Sequence, residues 1–218
     1  MDTVPLKLTE RRDEEISARA HEFADELMRR RTVRDFSSKA IPPGVLEDCL
    51  RAAGSAPSGA NLQPWHFAVV TSPALKNQIR QAAEGNEREF YDKRAPDRWL
   101  KSLAPLGTTA SKPFLERAPA LIAVFQKSSV TGPDGQDTAT YYAKESVGIA
   151  TGFLIAALHR AGLASLTHTP SPMAFLNSIL NRPCSEKPFL LLVVGFPVEN
   201  CSVPSINRQK LNQITSWH

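Results

Sequence analysis

Apolar residues recur along the chain at two spacings, and each spacing predicts one kind of element. Apolar positions three or four residues apart indicate amphipathic helices over residues 13–29 and 42–54. Ser72 and Pro73 are typical of a helix start, and the helix that follows is expected to end near Ala83. Short runs of consecutive apolar residues, typical of buried strands, lie at 66–71, 119–126, 164–169 and 189–194. This alternation alone would suggest a doubly wound parallel sheet.

The longest predicted helix, over residues 141–162, is apolar almost all round between Val147 and Leu158. A helix without a polar face is buried on both sides, and in a chain of 218 residues a dimer interface is the natural place for it. Gly148 and Gly152 lie four residues apart and would let a second helix approach closely. The alternative is the central helix of a monomer.

Three polar segments depart from these patterns. Residues 84–117 are rich in charge, glycine and proline, which in a compact domain is typical of a functional loop or of a disordered one, and we predict a substrate lid there. Residues 1–12 are predicted to form an N-terminal arm. Residues 200–218 are too polar to fold alone and are predicted to wrap a partner subunit. We expect residues 1–218 to form one domain.

Composition and charge exclude several classes of protein. A hydrophobic fraction of 42% and a charged fraction of 22% are ordinary for a soluble globular domain. The net charge of +4 is mild and aromatic residues do not alternate with the arginines, so nucleic-acid binding is not expected. The three cysteines have no CxxC spacing and the five histidines no ligand spacing, so no disulfide framework or metal site is expected. The absence of a bilayer-length apolar run and of a signal-peptide pattern predicts a cytoplasmic protein without membrane contact.

The loop at residues 56–65 has a composition suited to a flat ligand. Ser58, Gly59 and Ala60 add little bulk, so a ring system can approach the backbone closely. Asn61 and Gln63 offer donors and acceptors to the edge of a heteroaromatic ring. On composition alone, an ordinary loop between a helix and a strand is equally compatible.

Arg30, Arg31 and Arg34 lie within five residues, ahead of the helix that leads into this loop. Each guanidinium offers a rigid fork that matches phosphate oxygens, so the cluster indicates an anion site. Standing alone, the cluster would fit a solvated basic patch better than an anion site.

The arginine cluster and the loop together resemble the nitroreductase-like FMN flavoproteins. The resemblance implies an α+β fold in place of the parallel one: a mostly antiparallel, mixed sheet surrounded by helices, in a domain-swapped homodimer with FMN at the interface. It also implies cofactor contacts at Arg30, Arg31, Thr32, Val33, Arg34, Pro57, Ser58, Gly59, Asn61, Thr167, His168, Thr169 and Arg208.

Within the predicted lid, Glu87 and Tyr91 lie four residues apart and share one face of a helical turn, and Lys112 follows at the far end. A carboxylate, a phenol and an ammonium group can together bind the zwitterion of an amino acid. The set resembles that of the iodotyrosine deiodinases, which implies that Glu87, Tyr91 and Lys112 bind substrate. A solvated charged face is the alternative.

This narrower resemblance implies catalytic roles for two further positions. The backbone N–H of Ala60 would donate a hydrogen bond to a substrate phenolate, and Thr169 would lie near flavin N5. His168, between Thr167 and Thr169, suits an acid–base role, although packing is the commoner role of a lone histidine.

The function that these resemblances imply is FMN-dependent reductive dehalogenation of a halogenated tyrosine, with NAD(P)H or a reductase as electron donor. A general NAD(P)H-dependent nitroreductase or quinone reductase is the first alternative, since a promiscuous enzyme would not need Glu87, Tyr91 and Lys112. A flavin-cleaving enzyme and a flavin-binding protein without catalysis are the others.

Overall fold

The computed structural model describes residues 3–91, 98, 109–132 and 135–218. It divides the chain into two compact units, Met1–Arg30 and Arg31–His218, which we describe separately. In the first unit, helix α1 spans Asp13–Met28, within one residue of the predicted bounds. Acidic side chains fill its first turn, where they complement the helix dipole. None of its sixteen described residues is buried, so the apolar stripe of α1 stays at the surface.

Among its described residues, the second unit carries a 3-10 helix at Gly59–Asn61 and the following α-helices and strands. In chain order they are α2 (Val45–Gly54), β1 (Trp65–Val70), α3 (Pro73–Glu89), α4 (Phe114–Arg117), β2 (Ala120–Lys127), β3 (Ser129–Thr131), β4 (Asp137–Ala139), α5 (Ala143–Arg160), β5 (Ala164–His168), α6 (Phe175–Ile179), β6 (Glu186–Gly195) and α7 (Leu211–Ile214). All four predicted strands are present as β1, β2, β5 and β6. Among the described residues, no helix is long and apolar enough to cross a bilayer.

The main sheet has the strand order β1-β2-β6-β5, and every neighbouring pair is antiparallel. One short parallel bridge joins Thr32 to Ser165 of β5, so the sheet is mixed. The α+β fold implied by the resemblance is therefore confirmed, and the parallel sheet expected from alternation alone is wrong. The alternation of helices and strands in the sequence gives their order along the chain. It does not give the direction of each strand, which depends on the end of the sheet at which the preceding connection enters it.

Both faces of this sheet are buried, which explains why its strands are continuous apolar runs in the sequence. Alternate residues of β2 and β6 point to opposite faces. The face that packs with α3, α4 and α6 carries Leu121, Ala123, Phe125, Leu191 and Val193. The face that packs with α2 and α5 carries Ile122, Val124, Leu190, Leu192 and Val194.

Helix α5 buries one face and leaves the other at the surface of the chain. Val147, Leu154 and Leu158 lie in the core, whereas Ile149 and Phe153 remain 43% and 44% exposed. Apart from the chain neighbours and the backbone of α5 itself, no heavy atom of the described residues lies within 4 Å of a Cβ placed on Gly148 or Gly152. The second apolar face foreseen in the sequence is thus present and open, and its burial in a dimer remains a prediction.

Helix α3 continues to Glu89, six residues beyond its predicted end. The reason lies in ion pairs at helical spacing: Arg80 Nε lies 2.8 Å from Glu84 Oε1, and Arg88 Nη1 lies 3.9 Å from Glu84 Oε2. Such pairs stabilise a helix and offset the cost of Gly85. The first part of the predicted lid is therefore helical, while residues 92–97 and 99–108 of that segment lie outside the described residues. Outside the short helix α7, the predicted C-terminal extension has no helix or strand among its described residues.

Gly195, the last residue of β6, tolerates no side chain. A Cβ there would lie 2.4 Å from Cδ and 2.9 Å from Cγ of Pro119. We expect Gly195→Ala to lower the free energy of unfolding by about 2 kcal/mol, because the clash forces the backbone to shift. Gly85→Ala is the matched control, since nothing lies within 4 Å of its Cβ position, and it should add about 0.5–1 kcal/mol. Urea unfolding measures both, and equal stabilities for the two variants would contradict the prediction.

Candidate functional site

A cavity of about 240 Å³ lies between the end of α3, the end of β5 and the residues around α4. We call it the central cavity. It brings together seven of the residues that the sequence analysis selected: Arg34, Glu87, Tyr91, Lys112, Thr167, His168 and Thr169. These residues come from four separate parts of the chain, so only the folded protein assembles them.

Glu87 and Lys112 form an ion pair in the wall of the central cavity. Lys112 Nζ lies 3.3 Å from Glu87 Oε2, and the two side chains are 4% and 16% exposed. The Tyr91 ring centroid lies 5.9 Å from the same ammonium group. Burial lowers the pKa of Lys112, Glu87 opposes this effect, and nearby Arg34 adds to it. Because both side chains are largely buried, Glu87 and Lys112 do not belong to a solvated charged face.

The end of β5 presents polar side chains to both sides of the strand. Thr167 and Thr169 are exposed, whereas His168, which points the other way, is only 8% exposed. Its ring meets Phe114 edge to face at a centroid distance of 5.8 Å, and Nε2 has no hydrogen-bond partner among the described residues. Burial, and to a lesser degree the charge of Lys112, lowers the pKa of His168 to about 4. The imidazole is therefore neutral at pH 7, which favours packing over an acid–base role.

A second cavity, of about 360 Å³, is lined by Thr32, Arg34, Asp35 and the turn at residues 198–204. We call it the side cavity, and Arg34 lines both cavities. The segment alternates as a strand does: Val33 enters the core, while Thr32 and Arg34 face the cavities. The Arg31 guanidinium donates a hydrogen bond to the Pro204 carbonyl and so ties the segment to this turn.

The predicted flavin loop has an unusual backbone. Ala60, Asn61 and Gln63 adopt positive φ values of 47°, 57° and 48°. The Gln63 N–H donates to Ser58 Oγ at 3.0 Å, and a Cβ on Gly59 would lie 3.0 Å from the Tyr141 ring. Left-handed residues other than glycine are strained, and such strain is concentrated at functional sites. Residues 57–61 are not among the described residues that line either cavity.

Comparison with known proteins decides the family. Residues 27–196 match the Nitroreductase family. The chain belongs to the nitroreductase family. The resemblance found in the arginine cluster and the loop is thereby confirmed.

Several relatives of this nitroreductase-family protein are named iodotyrosine deiodinase. The chain is 53% identical to an iodotyrosine deiodinase of Haliscomenobacter hydrossis, over 90% of this chain and 88% of the relative. It is 40% identical to an iodotyrosine deiodinase of Nematostella vectensis, over 93% of this chain and 77% of that one. Iodotyrosine deiodinase 1 of Mus musculus is also 40% identical, over 98% of this chain and 75% of the relative.

Solved structures agree with this grouping. A crystal structure of oxidized iodotyrosine deiodinase bound to FMN and 3-iodo-L-tyrosine has a TM-score of 0.78, with 31% identity over 89% of this chain and 100% of that one. A BluB-like flavoprotein from Clostridium difficile 630 has a TM-score of 0.68 and 21% identity over 89% of this chain and 98% of that one. The second likeness shows the fold alone.

The central cavity of this nitroreductase-family protein also includes residues that the sequence did not indicate. Asn86, Phe90, Phe114, Leu166 and Ser171 line the central cavity but were not selected from the sequence. A longer predicted helix would have indicated the first two, because Asn86 directly precedes Glu87 on α3 and Phe90 directly follows the last residue of α3. Pro57, Arg31 and Arg208 do not line either cavity among the described residues, and Arg30 belongs to the first unit.

Proposed function

We propose that the protein is an FMN-dependent iodotyrosine deiodinase, which removes halide reductively from a halogenated tyrosine. The observation that carries the proposal is the buried ion pair of Glu87 and Lys112 beside Tyr91 in the wall of the central cavity. The 53% identity to an iodotyrosine deiodinase and the likeness to one with bound FMN and 3-iodo-L-tyrosine support it. A cavity of about 240 Å³ suits one small aromatic molecule.

The ion pair explains how an amino-acid zwitterion is recognised. Glu87 binds the α-ammonium group of the substrate, Lys112 binds its α-carboxylate, and the Tyr91 hydroxyl bonds to either. One internal ion pair is thus exchanged for two pairs with the substrate. Because Lys112 is already 96% buried in the free protein, little of its desolvation cost falls on substrate binding.

The donor groups around the two cavities fit FMN. Arg34 lies on both cavities, where a guanidinium suits an anionic or oxygen-rich group, and Thr32, Thr167 and Thr169 present hydroxyl groups. We assign them, with Arg31 and Arg208, to holding the flavin. When bound, FMN supplies the reducing equivalents, and the chain binds and orients the substrate and excludes water. NAD(P)H or a reductase is the proposed electron donor.

The complete site is proposed to need two copies of the chain. The loop at residues 57–61 lines neither cavity of its own chain among the described residues, yet its strained backbone and the Ala60 N–H suit a ligand. The exposed apolar faces of α1 and α5, with Ile149 and Phe153 open, suit burial against a second copy. A homodimer would cover these faces and bring the loop of one subunit to the cavity of the other.

Binding of 3-iodotyrosine to the purified, FMN-loaded protein tests the function. We expect flavin fluorescence to be quenched at concentrations at least tenfold lower than with 2-iodophenol or 4-nitrophenol, since only the amino acid engages Glu87 and Lys112, and a charged pair is worth about 1.4 kcal/mol or more. Under a chemical reductant, iodide release should follow. Quenching that does not distinguish the three compounds would contradict the proposal and favour a general nitroreductase.

A further inference from the structure

The structure assigns a role to Glu84, which neither the sequence pattern nor the resemblance selected. We infer that Glu84 is a positioning residue: its carboxylate holds the backbone of Lys112, and thereby sets where the Lys112 ammonium group meets the substrate. The inference rests on the proposed function for the part that concerns substrate, and on the hydrogen bonds of the free protein for the rest.

The direct contact joins a side chain to a backbone across 28 positions of sequence. The Lys112 N–H donates to Glu84 Oε1 at 2.6 Å, and the Glu84 side chain is 14% exposed. Glu84 lies three residues before Glu87 on α3, so both residues face the same side of the helix. Helix α3 therefore holds Lys112 at two points, by its backbone at Glu84 and by its ammonium group at Glu87.

A second set of contacts fixes the chain that follows Lys112. Arg80 donates to Glu84 Oε1 and to Glu116 Oε2, each at 2.8 Å, so one guanidinium joins the two carboxylates. Lys76, 7% exposed, donates from Nζ to the carbonyls of Glu116 at 3.0 Å and of Ala118 at 2.7 Å. The segment at residues 112–118 is thus bound to α3 along its length.

The charge of Glu84 suits this role. Burial alone would raise the pKa of its carboxyl, but the Lys112 N–H and the Arg80 guanidinium outweigh burial, and the pKa is lowered. Glu84 is therefore a carboxylate at neutral pH. A hydrogen bond from a backbone N–H to a charged acceptor is about twice as strong as one between neutral groups.

The side chain of Lys112 explains why backbone anchoring matters. Lysine carries its charge on a flexible four-carbon stem, so a lysine on a loose backbone samples many positions of Nζ. Substrate binding would then have to order it, at a cost in free energy. With the backbone fixed at Glu84, the ammonium group is directed to the cavity before substrate arrives.

Amide hydrogen exchange of the FMN-loaded protein without substrate tests the hydrogen bond by which Glu84 holds the Lys112 backbone, which we call the clamp. We expect the Lys112 amide to exchange at least tenfold faster in Glu84→Ala, and to a smaller degree in Glu84→Gln, whose side-chain oxygen still accepts a hydrogen bond. Glu89→Ala is the matched control, because Glu89 is exposed on the same helix, and it should leave this amide unchanged. If thermal melting shows that Glu84→Ala is folded and its Lys112 amide exchanges at an unchanged rate, the inference is overturned.

Ligand binding to the same variants tests whether the clamp also affects the affinity for substrate. Glu84→Ala should weaken 3-iodotyrosine about tenfold, Glu84→Gln less, and neither should change binding of 2-iodophenol by more than about twofold. A purely structural role would weaken both compounds equally, and that result would overturn the positioning role. Failure of the unmodified protein to prefer 3-iodotyrosine would refute the proposed function instead, and the amide exchange would still decide the clamp.

Discussion

Glu87→Gln should weaken binding of 3-iodotyrosine about a hundredfold, which corresponds to roughly 3 kcal/mol. The reason is that the substrate ammonium group loses its carboxylate partner in a buried site. The variant also removes the partner that lies 3.3 Å from the buried Lys112 in the free protein. That second loss lowers the stability of the fold rather than the affinity for substrate, because a charge is left uncompensated in a medium of low polarity. Titration of flavin fluorescence in the FMN-loaded variant measures the effect.

A double-mutant cycle shows whether each of the two charges binds the substrate. Lys112→Met should weaken binding by a similar amount, and the double variant Glu87→Gln/Lys112→Met should lose at least the sum of the two, because the single variants no longer have an internal ion pair to break when substrate binds. Reduction of 4-nitrophenol, which carries no zwitterion, should stay within about threefold of the unmodified protein in every variant. A loss in the double variant well below the sum, or equal losses for both compounds, would show that the pair serves the fold rather than the substrate.

The sequence predicted this pair better than it predicted the elements that hold it. Glu87 and Tyr91 have helical spacing, and the resemblance supplied Lys112, so the sequence indicated all three residues that the structure brings together here. Helix α3 ends six residues beyond the end that hydrophobic periodicity predicts, because few apolar residues lie beyond Ala83. Ion pairs carry the helix further, and hydrophobic periodicity does not detect them.

Long-range backbone contacts account for most of what the sequence did not predict. Glu84 bonds to a backbone N–H 28 positions away, and Asn86 bonds to the Pro172 carbonyl across 86 positions. Neither residue has a distinctive spacing, since any carboxylate or amide could accept or donate there. Strand direction has the same origin: β1, β2, β5 and β6 were each located, but their antiparallel pairing depends on connections that periodicity does not describe.

His168 should make the protein less stable as the pH falls from 7 to 5. Its pKa is about 4 in the folded protein and near 6.5 in the unfolded chain. Between these values the unfolded state binds the proton and the folded state does not, so stability is lost as pH decreases through this window. The difference corresponds to about 2 kcal/mol between pH 7 and pH 5, and about 3 kcal/mol by pH 4. Urea unfolding over this range measures it.

Comparison with His168→Leu separates this effect from the titration of carboxylates. The ring packs against Phe114 and leaves Nε2 without a partner among the described residues, so an apolar side chain of similar size should fold well there. We expect the unmodified protein to lose about 2 kcal/mol more than this variant between pH 7 and 5. His218→Leu, at the exposed C-terminus, should keep the profile of the unmodified protein. Parallel profiles for the protein and His168→Leu would instead mean that the buried imidazole is protonated in the folded state, which would reopen an acid–base role for His168.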